Sequence, residues 1–177
     1  MKKKIAVLAA DGTEEIELTS PVEALEKAGA QITVISLKRG KFQAVHADIY
    51  PSNKLTADLA ITEAAPEEYD ALLLPGGVFS PDKLRANDEA VRFVASIASS
   101  GKPIAAICHG AQTLIETGAL KGRTVTSWPA IKTDLRNAGA NWVDEEVVID
   151  GSFVFSRSPD DLNAFNVAII KHFGLSS

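Results

Sequence analysis

The 177-residue chain contains one cysteine, three histidines and few aromatic side chains. A lone cysteine cannot close an internal disulfide, which suits the cytoplasm. Three scattered histidines beside one thiol give no recognisable metal-ligand spacing, so no metal is expected. The glycines nowhere take the spacing of a phosphate loop or a dinucleotide fingerprint, and no cofactor is expected. No stretch reaches the roughly 18 apolar residues of a membrane helix. The start, MKKKIAVLAADGTEE, meets Asp11 and two glutamates too early for a secretory signal. Positive charge is scarce as well. The net charge is −5 and no Lys/Arg block exceeds the three lysines at the start, which argues against nucleic acid as a partner.

What is present reads as one globular domain over residues 1–177, with 46% hydrophobic and 23% charged residues supplying a core and a soluble surface. Short aliphatic runs at Ile5–Leu8, Ile32–Leu37, Ala71–Leu74 and Ile104–Ile107 alternate with segments of helical spacing at Glu14–Ala28, Glu89–Ser99 and Ala111–Thr117. Continuously apolar strands separated by helices predict a doubly wound α/β sandwich around a mostly parallel sheet. EVVIDGSFVFS, from Glu146 to Ser156, predicts a hairpin about Asp150-Gly151. In SPDDL, Ser158 is expected as a helix cap, Pro159 at the first helical position and Asp161 as the acidic partner of a capping box. Lys38–Leu55 carries no clear pattern.

Open α/β sheets bind ligands beyond the carboxyl ends of their strands, and three strand exits stand out here: DGTEEIEL, PGGVFSPDKL and CHGAQ. In Ala-Ile-Cys-His-Gly, the small residues Ala106 and Gly110 flank Cys108 two positions away on either side. This is a cysteine version of the serine nucleophile elbow, which needs such neighbours for its strained turn. A sulfur at the start of a helix is expected to favour thiolate. The alternative is a cysteine acting as a small core hydrophobe. His109 either accepts the thiol proton or merely covers the first helical turn. Glu14 and Glu15 read as acids complementing a helix dipole. Glu17, between Ile16 and Leu18, can instead point at the sulfur, where repulsion and desolvation would keep it protonated. The amides of Gly77 and His109 can form an oxyanion hole, although a Gly-Gly pair also makes an ordinary turn.

Together these exits, with AICHG, LLLPGG, AGANWVDEEVVIDG and SRSPDDL, resemble the ThiJ/PfpI superfamily and most of all its PfpI-type intracellular protease branch. The resemblance spans nearly the whole chain. It implies a flavodoxin-like three-layer sandwich similar to class I glutamine amidotransferase domains. It also implies Cys108 as nucleophile, His109 as its neighbour, Glu17 as a protonated contact of the sulfur, and the Gly77 and His109 amides as the oxyanion site. In that branch an acid from a neighbouring subunit completes a triad. The matching position is Asp82, one methylene shorter than the branch's glutamate, in a loop one residue longer. Asp82 can equally cap a short helix beginning near Pro81. Arg157 also matches a family position and reads as a structural salt link. A glutamine amidotransferase is excluded, because no histidine lies between Gly110 and Lys171 to serve the cysteine. The resemblance implies a cytoplasmic homodimer or higher homo-oligomer acting as a stress-protective cysteine-dependent hydrolase. Its substrates would be peptides, or methylglyoxal and its protein adducts. The alternative is a non-enzymatic oxidative-stress sensor in which Cys108 is oxidised to sulfenic or sulfinic acid.

Overall fold

Successive residues of the first strand, β1 (Lys4–Leu8), face opposite sides of a sheet, and both sides are buried. Ile5 and Val7 pack into one apolar layer, Ala6 and Leu8 into the other, so the strand reads as an unbroken apolar run. The computed structural model describes residues 1–176. After β1 come β2 (Thr13–Glu14), α1 (Glu15–Lys27), β3 (Gln31–Ser36), β4 (Gly40–His46), β5 (Tyr50–Ala57) and β6 (Leu59–Ala60). There follow β7 (Ala71–Leu74), α2 (Phe79–Arg85), α3 (Asp88–Ser99), β8 (Ile104–Ile107) and a 3-10 helix (Cys108–Thr117). The remainder comprises β9 (Thr124–Val125), α4 (Lys132–Asn137), β10 (Asn141–Trp142), β11 (Val148–Asp150), β12 (Phe153–Ser156) and α5 (Leu162–His172).

The main sheet has the order β11-β12-β8-β7-β1-β3-β6, and every pairing except β11 with β12 is parallel. The expected α/β sandwich is therefore present, as is the hairpin about Asp150-Gly151. From β1 the chain runs outward through β3 to β6, then returns to the other side at β7. The crevice between the carboxyl ends of β1 and β7 is thus the switch point where such sheets hold ligands. β8 and the cysteine lie immediately beyond β7.

Three expectations change. Lys38–Leu55, unreadable as sequence, folds largely as the antiparallel pair β4 and β5, joined to the β1 exit through β2. The segment after Cys108 is a 3-10 helix, with tighter turns than the α-helix expected. Ser158 forms no side-chain cap, and a single 3-10 turn, Pro159–Asp161, precedes α5. The Asp161 N–H that a Ser158 side-chain cap would accept from donates instead to the Ser158 carbonyl at 3.0 Å, and the acid is taken as well. Asp161 accepts from the Arg157 backbone N–H at 3.0 Å, from Arg157 Nε at 2.9 Å and from Nη2 at 2.9 Å, so it is not free to close a capping box. Arg157 is the salt link expected, and its Nη1 donates to Asp144 at 2.9 Å.

Candidate functional site

The β8 exit turns abruptly. Ile107 is extended at φ −124°, and Cys108 has φ +60°, a left-handed conformation costly for a side chain with a Cβ. Close packing explains the small neighbours. A Cβ at Gly110 would lie 2.2 Å from the Leu74 carbonyl oxygen, so β7 and the cysteine turn can approach only with glycine there. The turn carries the His109 ring back toward the sulfur, with Nδ1 at 3.2 Å from Sγ. Adjacent side chains ordinarily diverge, and the positive φ makes this contact possible.

Glu17 enters from α1. The helix contains Pro21, which cannot donate to the Glu17 carbonyl, so the backbone ladder is interrupted at the turn that directs Glu17 inward. Its side chain is buried, and Oε2 accepts from the Gly76 N–H at 2.9 Å. A Cβ on Gly76 would fall 2.5 Å from that oxygen and 2.9 Å from Cys108 Cβ. The glycine exit of β7, the acid and the cysteine therefore meet at one point. Burial raises the Glu17 carboxyl from its ordinary 4.5 to about 8, against the pull of hydrogen bonding from Cys108 and Gly76. Burial thus favours the protonated carboxyl at Glu17 at neutral pH. The Cys108 thiol acts on the carboxyl as a hydrogen-bonding neighbour, and among the described residues Oε1 has no hydrogen-bond partner.

The thiolate expectation is corrected. Cys108 is 2% exposed, and burial pushes its thiol up; negative charge at Glu17 or Asp48 would add to this, while the His109 amide works in the opposite direction. Burial also lowers the His109 imidazole below its ordinary 6.5, against the charge of Asp48. At neutral pH the pair is a thiol facing a neutral imidazole, the arrangement in which a base removes the proton as reaction begins.

The site opens into a cavity of about 260 Å³ lined by Val78, Phe79, Asp82, His109, Gln112 and Ile131. Trp128 stacks on the His109 ring with centroids 6.0 Å apart, and the Trp128 backbone N–H donates to the Cys108 carbonyl at 3.2 Å. Asp82 lies in the first turn of α2, a helix that begins at Phe79, and forms no cap. It borders the same cavity as His109 of its own chain. Gly77 has φ +82°, and among the described residues its N–H meets no protein acceptor.

Glu14 and Asp48 escaped the sequence reading. Glu14 is not a dipole acid. It is buried in β2, its Oε1 accepting from the Ala47 N–H at 2.9 Å and its Oε2 from the Asp48 N–H at 2.8 Å. Glu15 holds Asn53, accepting from its side-chain amide at 2.8 Å. The only advance signal for Glu14 was its crowding with two other acids. Asp48 gave none. Among the described residues no three His, Cys, Asp or Glu side chains are grouped to hold a metal ion.

The model of the DJ-1/PfpI family matches residues 3–172. The chain belongs to the DJ-1/PfpI family. Relatives include a Bacillus subtilis protein provisionally named a cysteine protease, 48% identical over 94% of this chain and 95% of the relative. A Pyrococcus abyssi protein named a deglycase is 45% identical over 95% of this chain and 98% of its own. Among solved DJ-1/PfpI structures, Drosophila melanogaster DJ-1beta superposes with a TM-score of 0.88 at 29% identity, over 98% of this chain and 91% of that one. A two-domain Anabaena variabilis protein with DJ-1/ThiJ/PfpI-like and ferritin-like domains gives 0.91 at 39% identity; 98% of this chain is covered, but only 48% of the longer one.

Proposed function

We propose that this DJ-1/PfpI chain is a stress-protective, cysteine-dependent hydrolase acting on peptide amides or on methylglyoxal and its protein adducts, with residues 1–177 working as one domain. The observation that carries the reading is the Cys108 turn at φ +60° with His109 Nδ1 3.2 Å from its sulfur. The relatives named as a cysteine protease and a deglycase support both substrate classes. His109 takes the thiol proton as Sγ attacks the substrate carbonyl, forming a carbon–sulfur bond. The oxyanion is received by the amides of Gly77 and His109, and the imidazolium returns its proton to the departing amine. In the peptidase route water then cleaves the thioester and regenerates the thiol. Protonated Glu17 donates to the sulfur as charge develops there. Asp82 of a neighbouring subunit steadies His109, so the active form is a homodimer or higher homo-oligomer, and the protein works in the cytoplasm. Among the described residues no helix is long and apolar enough to cross a membrane.

The test is turnover. Purified protein is expected to consume methylglyoxal or cleave peptide amides, and Cys108→Ser to lose that activity by at least about a hundredfold. Equal inertness of wild type and variant in both assays would overturn the hydrolase reading and leave oxidation of Cys108 to sulfinic acid as the function.

A further inference from the structure

Cys108 is not the only residue with an unusual backbone. Among the described residues three non-glycine residues have positive φ: Cys108 at 60°, Ala47 at 50° and Asp48 at 64°. Two consecutive left-handed residues without glycine form a strained turn, which persists only where its surroundings hold it. Here the hold is explicit. The β4–β5 turn presents the N–H groups of Ala47 and Asp48 to the buried carboxylate of Glu14 at 2.9 and 2.8 Å.

That clamp ties the turn to the site. The Glu14 N–H donates to the Gly76 carbonyl at 3.2 Å, and the Thr13 hydroxyl donates to the same oxygen at 3.2 Å. Gly76 in turn abuts both Glu17 Oε2 and Cys108 Cβ. Asp48 Oδ1 is buried and among the described residues has no hydrogen-bond partner. A charged oxygen without a donor is expensive and is retained where its field is useful. We propose that Asp48 is a positioning residue of the site, its carboxylate fixed by the Glu14-clamped turn that is tied through Gly76 to Glu17 and Cys108, so that its charge keeps Glu17 facing the sulfur.

The charged and titratable groups in this region come from four elements. β2 supplies Glu14, α1 supplies Glu17, the 3-10 helix supplies Cys108 and His109, and β4 supplies His46, whose Nδ1 is 3.9 Å from Glu14. The charge of Asp48 raises Glu17, raises the Cys108 thiol and opposes the lowering of His109. All three effects have one sign, favouring the protonated form of each group. The proposal rests on Cys108 being the reactive sulfur but not on which substrate it attacks.

The experiment follows iodoacetamide alkylation of Cys108 against pH, which needs no turnover. Asp48→Asn keeps the shape and tolerates a left-handed backbone. Its alkylation midpoint is expected to fall by on the order of one pH unit. Asp48→Glu keeps the charge and should restore most of the wild-type profile, and the remote Glu67→Gln should leave it unmoved. The His109 imidazole, followed by NMR, should also titrate lower in Asp48→Asn. If Asp48→Asn fails to fold, Asp48→Gly relaxes the turn and provides the same reading. A profile unchanged or displaced to higher pH in the folded charge-deleted variant overturns the proposal, whether or not the enzyme turns over. The expected shift in a protein whose wild type turns over neither methylglyoxal nor peptides would sink the hydrolase reading alone.

Discussion

At Glu17 burial and chemistry pull against each other, and pH separates them. The folded chain holds this proton up to about pH 8, while an unfolded chain releases it near 4.5. Between those values the native state binds more protons than the unfolded state, so stability falls as pH rises, by up to roughly 1.4 kcal/mol per pH unit. Glu17→Gln removes that dependence. Urea midpoints at pH 5 and pH 8 are expected to differ less in the variant than in wild type, by a few kcal/mol once converted with the m-value. Reactivity should diverge in parallel. Above about pH 8 wild-type Glu17 ionises beside the sulfur and holds back alkylation, whereas the Gln variant should continue to accelerate. Gly110 presents the steric counterpart, since a methyl group there would collide with the Leu74 carbonyl at 2.2 Å. Gly110→Ala is expected to cost about 2 kcal/mol or more in chemical denaturation and to separate His109 from the sulfur, seen as a loss of methylglyoxal or peptide turnover.

Single elements transmit these constraints. The segment before α5 hangs on Arg157, whose guanidinium spans Asp161 and Asp144. Burial works against ionisation of Asp161, but its bonds to Arg157 hold the carboxyl below the usual range. Arg157→Ala strands this buried acid and should lower stability by about 2 kcal/mol, and lysine, which lacks the fork, should recover only part of it. Thermal melts of the two variants check this. The same element shows why its start was misread. SPDDL has the spacing of a capping box, but the guanidinium just before it is a stronger claimant for Asp161 than a backbone amide. Complete burial made some elements plain. β1, β7 and β8 are inaccessible on both faces and so appear as aliphatic runs. β4 and β5 mix exposed and buried positions irregularly, slip register between Gln43 and Val45, and turn through Ala47 and Asp48 without the glycine that would announce a hairpin. Cys108, His109 and Glu17 could be found because elbow chemistry and an acid between apolar neighbours leave local marks. Glu14 and Asp48 could not, because their meaning depends on a contact across more than thirty residues.

For the molecule as a whole, the proposed triad requires more than one subunit. Asp82 borders the cavity that His109 enters within its own chain, while the proposed triad takes this acid from a neighbour. Mixing decides between them. Cys108→Ser and Asp82→Ala should each be inactive alone; if the acid crosses between subunits, their mixture should regain activity at sites combining an intact cysteine with an intact partner acid. Were Asp82 used within its own chain, mixing would restore nothing. The chain also provides its own indicator. It has only two tryptophans, and Trp128 lies face to face with the histidine that must gain and lose a proton. A cationic imidazole quenches indole emission, so the difference in fluorescence between wild type and Trp128→Phe turns the protein into an unlabelled optical gauge of that proton, readable while a substrate arrives and leaves.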